Sequence, residues 1–233
     1  MNCIEIENLS VEKSKRKILN SLNLVIPNSK SIGLLGPSGS GKTTLMRSIM
    51  GLQKITEGKI RILGFEAGAK DLRNKISYST QSASLYLDLT CIENLEFFSS
   101  LFDENELSIQ EILDLVQLNQ VKNQLAKTLS GGEKTRLALG TALVGAPELI
   151  ILDEPTVGLD PILRKQLWQI FKELNKKGKT LLISSHVMDE AENCDHIFMI
   201  RDGKIIASGN TSELKSRTGL GNMEDVFISL VKS

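Results

Sequence analysis

The chain has 233 residues, 41% of them hydrophobic and 24% charged, which suffices for a compact globular body with a sizeable core. Its 28 Lys and Arg balance 28 Asp and Glu, so the composition argues against a broad basic surface, and no nucleic-acid partner is expected. No apolar run approaches the roughly 18 residues that span a bilayer, Met1 to Ser10 lacks the pattern of a secretory signal, and the scattered Cys3, Cys91 and Cys194 provide neither a disulfide framework nor a zinc site.

In chain order, Ile18 to Ile26 and Ser31 to Leu35 read as strands separated by the turn residues Pro27-Asn28. A Gly-rich run follows, and Leu45, Ile49 and Leu52 then recur at helical spacing over Lys42 to Leu52. Gly58 precedes a strand over Lys59 to Leu63, and Ile76 to Thr80 reads as another. From Leu85 to Val144 helical periodicity takes over, as at Ile109, Ile112, Leu113, Val116 and Leu118. This predicts a helical subdomain over 85–145, inserted into a sheet core made of 1–84 and 146–210. Glu148 to Leu152, Thr180 to Ser184 and Ile197 to Ile200 read as short strands. A helix opened by Pro161 lies between the first two and a shorter one follows the second. In the Pro161 helix, Leu163, Leu167, Ile170, Phe171 and Leu174 form the core stripe, with Trp168 at its flank. Alternating strands and helices imply a mainly parallel sheet, Asp202-Gly203 predicts a hairpin and hence an antiparallel β edge, and 211–233 reads as a short helical tail. The expectation is a single α/β domain over 1–233.

Gly36-Pro37-Ser38-Gly39-Ser40-Gly41-Lys42-Thr43 fits the P-loop pattern and lies between a strand and a helix start, where the mechanism needs it. The glycines let successive N–H groups face phosphate, and the helix end adds about half a positive charge. Lys42 then reaches the β- and γ-phosphates, Thr43 offers a hydroxyl to Mg²⁺, and Thr44 joins the nucleotide-binding run. These residues predict a P-loop NTPase with ATP and Mg²⁺ as cofactors. The apolar strand Leu149 to Leu152 delivers Asp153 and Glu154 at its C-terminal end, where ligands of parallel sheets collect. Without a P-loop the pair would read as an exposed acidic turn. With one, Asp153 suits Mg²⁺, and Glu154 suits the general base for a water in line with the γ-phosphate.

Leu129-Ser130-Gly131-Gly132-Glu133 resembles the signature sequence of ABC-type ATPases. Ser130, Gly131 and Gly132 precede a helix beginning near Glu133, so hydroxyl, N–H groups and dipole form a second anion site. The resemblance implies that this element contacts ATP held by a second copy, in a head-to-tail dimer with two ATP molecules between the copies. The family usually has Gln in place of Glu133, a departure of little consequence if only Ser130 and the glycines touch phosphate. Gln81 matches the Q-loop glutamine, which the resemblance places near Mg²⁺ and the attacking water. Val157-Gly158-Leu159-Asp160 matches the D-loop, and His186 matches the switch histidine near the γ-phosphate. The implied catalytic set is Lys42, Gln81, Glu154 and His186, and the implied metal set is Thr43, Gln81 and Asp153. Lys13 falls where many members stack an aromatic ring on adenine, which predicts weak discrimination between ATP and GTP.

Leu85 to Leu95, Glu154 to Pro161 and Ser184 to Glu192 resemble the drug-exporter-like, ABC-2 type branch of bacterial ABC ATPases. That resemblance implies a separate polytopic membrane permease subunit, a peripheral position on the cytoplasmic face of the cell membrane, and export of a drug-like or lipophilic compound. The alternative is a soluble ABC-type ATPase acting on ribosomes or DNA. Neither the long heptad-rich insertion of the DNA-repair members nor the second cassette of the ribosomal ones is in this sequence.

Overall fold

The computed structural model describes residues 2–80 and 84–232. In chain order it runs β1 (Asn2–Lys13), β2 (Arg16–Pro27), β3 (Ser31–Leu35), α1 (Lys42–Ile49), β4 (Glu57–Ile62), β5 (Phe65–Glu66) and β6 (Ile76–Ser79). Three helices follow, α2 (Cys91–Ser99), α3 (Ile109–Leu115) and α4 (Gly131–Ala142). The chain then continues through β7 (Leu149–Asp153), α5 (Pro161–Lys176), β8 (Thr180–Ser185), a 3₁₀ turn (Met188–Asn193), β9 (His196–Arg201) and β10 (Lys204–Gly209), and closes with α6 (Thr211–Thr218) and α7 (Met223–Lys232).

The strands form two sheets. Six lie in the order β10-β9-β3-β8-β7-β6, in which β9, β3, β8, β7 and β6 pair parallel and β10 joins antiparallel across the Asp202-Gly203 turn. The antiparallel part is larger than the expected edge, because β2-β1-β4-β5 make a second, antiparallel sheet. Burial explains the division. Every residue of β3, β7 and β8 is buried, as in strands covered on both faces, whereas β2 alternates buried and exposed positions like a strand with one wet face.

Period-two alternation along β7 shows how the layers stack. Leu149 and Ile151 join one apolar cluster with Ile4, Leu24, Leu45, Met46 and Ile49, which fills the space around α1 and the antiparallel sheet. Ile150 and Leu152 join a second with Leu95, Ile112, Leu137, Leu167 and Phe171, packed against α2 to α5. Phe171 is 1% exposed, and truncating it to Ala would cost about 3–5 kcal/mol.

Several local expectations need correction. The helix read as Lys42 to Leu52 stops at Ile49, because Gly51 takes a left-handed φ of 70° and leaves Leu52 outside at 58% exposure. The short helix after β8 is a 3₁₀ turn. Trp168 is not a flank residue: it is buried and meets Phe171 edge-on at 5.3 Å, while Leu163, in the first turn of α5, is half-buried. The signature helix begins at Gly131, and Ser130 is its N-cap.

Candidate functional site

The site sits at the C-terminal ends of three neighbouring parallel strands, β3, β7 and β8, the usual place for ligands of such sheets. The loop after β3 is fixed by glycine geometry. A Cβ on Gly36 would lie 2.1 Å from the Ile200 carbonyl oxygen, and Gly41, the residue before α1, has a φ of 109° that side chains resist. Gly36 N–H donates to the Ser185 carbonyl (3.2 Å), Ser40 N–H to the Pro37 carbonyl (3.2 Å) and Gly203 N–H to the Ser40 carbonyl (3.0 Å). The side-chain Oγ of Ser40 is buried without a hydrogen-bond partner among the described residues.

Lys42 is 4% exposed, and its Nζ donates to the carbonyls of Gly36 (2.8 Å) and Pro37 (3.2 Å). The same Nζ lies 3.2 Å from Glu154 Oε1, and His186 Nδ1 lies 3.4 Å from Glu154 Oε2. One carboxylate therefore bridges the P-loop lysine and the histidine that follows β8. Glu154 reaches both because its φ of 52° is left-handed, which turns the side chain away from the alternation of β7 toward the P-loop. Such a conformation in a non-glycine residue costs roughly 1–2 kcal/mol and is held here by the Glu154 N–H, which donates to Ser184 Oγ at 2.9 Å. Above the loop lies a cleft of about 450 Å³ bounded by Lys13, Ile18, Ser38, Gly39, Gly41, Lys42, Thr43, Thr44 and Glu154.

Asp153 is buried beside this cleft with both oxygens engaged. Ser184 Oγ donates to Oδ1 at 2.6 Å and the Tyr78 hydroxyl donates to Oδ2 at 3.1 Å. Burial first, then the neighbouring Asp153 charge, pushes Tyr78 above its ordinary pKa, so the phenol stays a proton donor. Neither partner stands out in the sequence. Tyr78 is 75 residues from Asp153 and Ser184 is 31 away. Only the register, which sets Asp153 opposite Ser184 and Tyr78 opposite Ile151, brings them together.

Ser130, Gly131 and Gly132 lie at the start of α4 and do not line the cleft over the P-loop among the described residues. Glu133 completes a capping box: its Oε2 accepts from Ser130 N–H (2.8 Å) and Ser130 Oγ (2.7 Å), and Ser130 Oγ accepts from Glu133 N–H (3.3 Å). The Ser130 hydroxyl, then its N–H, hold the Glu133 carboxyl below its ordinary pKa. The departure from Gln is thus not remote from Ser130, since a carboxylate grips its hydroxyl. Gln81 lies outside the described residues.

Residues 19–157 match the ABC transporter family. The chain belongs to the ABC transporter family. This ABC cassette is 37% identical over 225 residues to the lantibiotic transport ATP-binding protein SrtF of Streptococcus pyogenes, covering 96% of this chain and 95% of that protein. It is 34% identical over 240 residues to ABC transporter G family member 23 of Dictyostelium discoideum, covering 98% of this chain but only 34% of that much longer protein. Among solved structures it superimposes with a TM-score of 0.79, at 28% identity over 89% of this chain and 98% of the other, on the dimeric post-hydrolysis state of the ATP-binding cassette MJ0796 bound to ADP and Pi. The P-loop cradle, the buried lysine and the adjoining carboxylates Asp153 and Glu154 all fall within the residues that match the family.

Proposed function

We propose that this chain hydrolyses Mg²⁺-bound ATP and that Glu154 is the general base. The observation that carries the reading is the bridge at Glu154, one carboxylate within 3.4 Å of both the Lys42 ammonium and the His186 ring. Lys42 is buried beneath a loop in which Gly36 and Gly41 have no room for a side chain, so an incoming γ-phosphate competes with Glu154 for its charge. Once Lys42 turns to phosphate, the Glu154 carboxylate is free to take a proton from water. The water oxygen then bonds to the γ-phosphorus, the bond from that phosphorus to the β-bridging oxygen breaks, and ADP leaves with the electron pair. His186, 3.4 Å from Glu154 Oε2, keeps that carboxylate on its course and is proposed to meet the γ-phosphate. No group of three or more His, Cys, Asp or Glu suited to a metal occurs among the described residues. The protein ligands available are Asp153 and Thr43, which suits Mg²⁺, an ion that takes one or two protein oxygens and fills the rest with phosphate and water. The ion supplies neutralisation of phosphate charge, and Tyr78 and Ser184 hold Asp153 for it. Gln81 is proposed as a further ligand and water-positioning residue.

We further propose that the chain is the energy-supplying subunit of an exporter of drug-like or lipophilic compounds, peripheral to the membrane and paired with a separate permease. The name of SrtF supports a transport role. No described helix is long and apolar enough to cross a membrane. Support for a permease comes from exposed Tyr86 (48%), Leu87 (51%), Phe97 (37%) and Leu101 (63%), of which Tyr86 and Phe97 meet edge-on at 4.5 Å. They lie within the segment 85–145, proposed as a helical subdomain carried by the sheet core. The test is ATP turnover by the purified chain with and without Mg²⁺, beside Glu154→Gln, followed by identification of what co-purifies from gently solubilised cells. Turnover lost in Glu154→Gln, with a stoichiometric polytopic membrane protein, supports both parts. Wild-type turnover in the variant overturns the base assignment, and ribosomal or DNA-repair proteins in place of a permease overturn the exporter.

A further inference from the structure

The segments that leave β7 and β8 are tied to each other twice. The near tie is Glu154 to His186 at 3.4 Å. The far tie is Arg164 Nε, on the first turn of α5, to Glu190 Oε1 at 3.6 Å, in the 3₁₀ turn that follows His186. The same guanidinium reaches back, where Nη2 donates to the Leu159 carbonyl at 3.4 Å. Glu190 is 3% exposed, and neither of its oxygens accepts a hydrogen bond among the described residues. Its one ion pair there is with Arg164. A buried carboxylate that depends on one counter-charge is strongly destabilised when that charge goes. The seat of the turn carrying Glu190 therefore depends on Arg164, and the path from Glu190 back to His186 is short, since Glu190 N–H donates to the Val187 carbonyl and Val187 N–H donates to Ser185 Oγ.

We propose that Arg164 is a positioning residue for hydrolysis. By holding the Leu159 carbonyl with one arm and Glu190 with another, it closes a ring running Glu154, Leu159, Arg164, Glu190, His186 and back to Glu154. The ring fixes how near His186 stands to Glu154, and it passes any movement of the 157–160 loop to His186. The catalytic consequence rests on Glu154 acting as base, whereas the geometric coupling does not.

The experiment has two arms that separate these. The chain has two histidines, His186 and His196, so their imidazole NMR signals are readily assigned. In Arg164→Ala the His186 signal should move toward its position in Glu154→Gln, while that of His196, on β9, stays. An unmoved His186 signal in a folded variant overturns the proposal whether or not the chain hydrolyses ATP. In the kinetic arm, a misplacement near 1 Å predicts a loss of kcat on the order of 10- to 100-fold in Arg164→Ala, with KM and ADP affinity nearly unchanged. The loss should vanish in a His186→Ala background and be partly restored by Arg164→Lys. An equal fractional loss in both backgrounds would mean that Arg164 acts independently of His186, and a loss tracking ADP affinity or Tm would mean that it only stabilises the fold. Glu190→Gln, which leaves the unpaired charge on the partly exposed Arg164 and not on a buried carboxylate, should reproduce the kcat loss in a folded protein.

Discussion

At the scale of single residues, Lys13 is the position where this site departs most plainly from a base-stacking pocket. It is exposed at the end of β1 and, with Ile18, bounds the cleft over the P-loop. An aliphatic chain and an ammonium supply no ring to stack on a purine, and stacking is worth roughly 1–3 kcal/mol per base in other nucleic-acid proteins. ATP and GTP should be hydrolysed with similar kcat/KM in side-by-side assays, and Lys13→Tyr should lower KM for both by about tenfold, within that range. A strong ATP preference in the unaltered chain would show that something other than stacking reads the base. Tyr78 and Ser184 make a different kind of residue-scale claim, since their hydrogen bonds go to Asp153. Loss of a partner that orients a metal ligand commonly costs 10- to 100-fold in metal affinity, so Tyr78→Phe should raise the Mg²⁺ concentration for half-maximal turnover by about tenfold. Because burial and Asp153 push its pKa up, Tyr78 stays protonated through neutral and mildly alkaline pH, and activity between about pH 6 and 9 should show no ionisation that disappears in Tyr78→Phe.

At the scale of elements, the helices between β6 and β7 share one device. Thr90 with Glu93, Ser108 with Glu111, and Ser130 with Glu133 each form a capping box at the start of α2, α3 and α4. In each, hydrogen bonds from the cap residue hold the Glu carboxyl below its ordinary pKa of 4.5. A depressed folded-state pKa gives stability that is present above 4.5 and is lost as pH falls through the lower folded value. Acid should therefore loosen α2 to α4 before the sheets, visible as early loss of amide protection there. Ser108→Ala should lower Tm at neutral pH by roughly 2–4 °C, with the difference narrowing below pH 4. Signals carried within a few residues, such as the Gly36 to Thr43 loop, Pro161 opening α5 and the Asp202-Gly203 hairpin, appear where they are predicted. Long-range pairing is not written locally. Nothing near β1 or β2 states that they leave the parallel sheet for a second one, and nothing near Tyr78 points to Asp153. Trp168 fails for a related reason: helical spacing puts it beside the stripe, but Phe171 and the second apolar cluster enclose it.

At the scale of the whole molecule, the two features proposed to bind phosphate, the P-loop and the Ser130 end of α4, lie on different parts of one chain. Lys42 and the P-loop bound their cleft without any wall from Ser130 to Gly132 among the described residues. On the proposed reading, an ATP seated on the P-loop would meet the Ser130 end of α4 when a second copy presents it. Each copy would offer what the other lacks, an isologous arrangement that closes as a dimer with two nucleotides inside. Glu133 adds an opposing term, because its carboxylate already engages the Ser130 hydroxyl and sets a negative charge beside the incoming phosphate. Association should therefore need ATP, be weak while hydrolysis continues, and become lasting when turnover is blocked. Glu154→Gln with Mg²⁺ and ATP should elute as a dimer in size-exclusion chromatography and as a monomer with ADP. Adding Ser130→Arg to that variant should return it to the monomer while leaving ADP affinity, which depends on the P-loop, within about twofold. A dimer that forms equally with ADP, or that survives Ser130→Arg, would place the contact between copies elsewhere than over the nucleotide. Glu133→Gln in the same background should shift association to lower ATP concentration, since it keeps an acceptor for Ser130 and removes the charge.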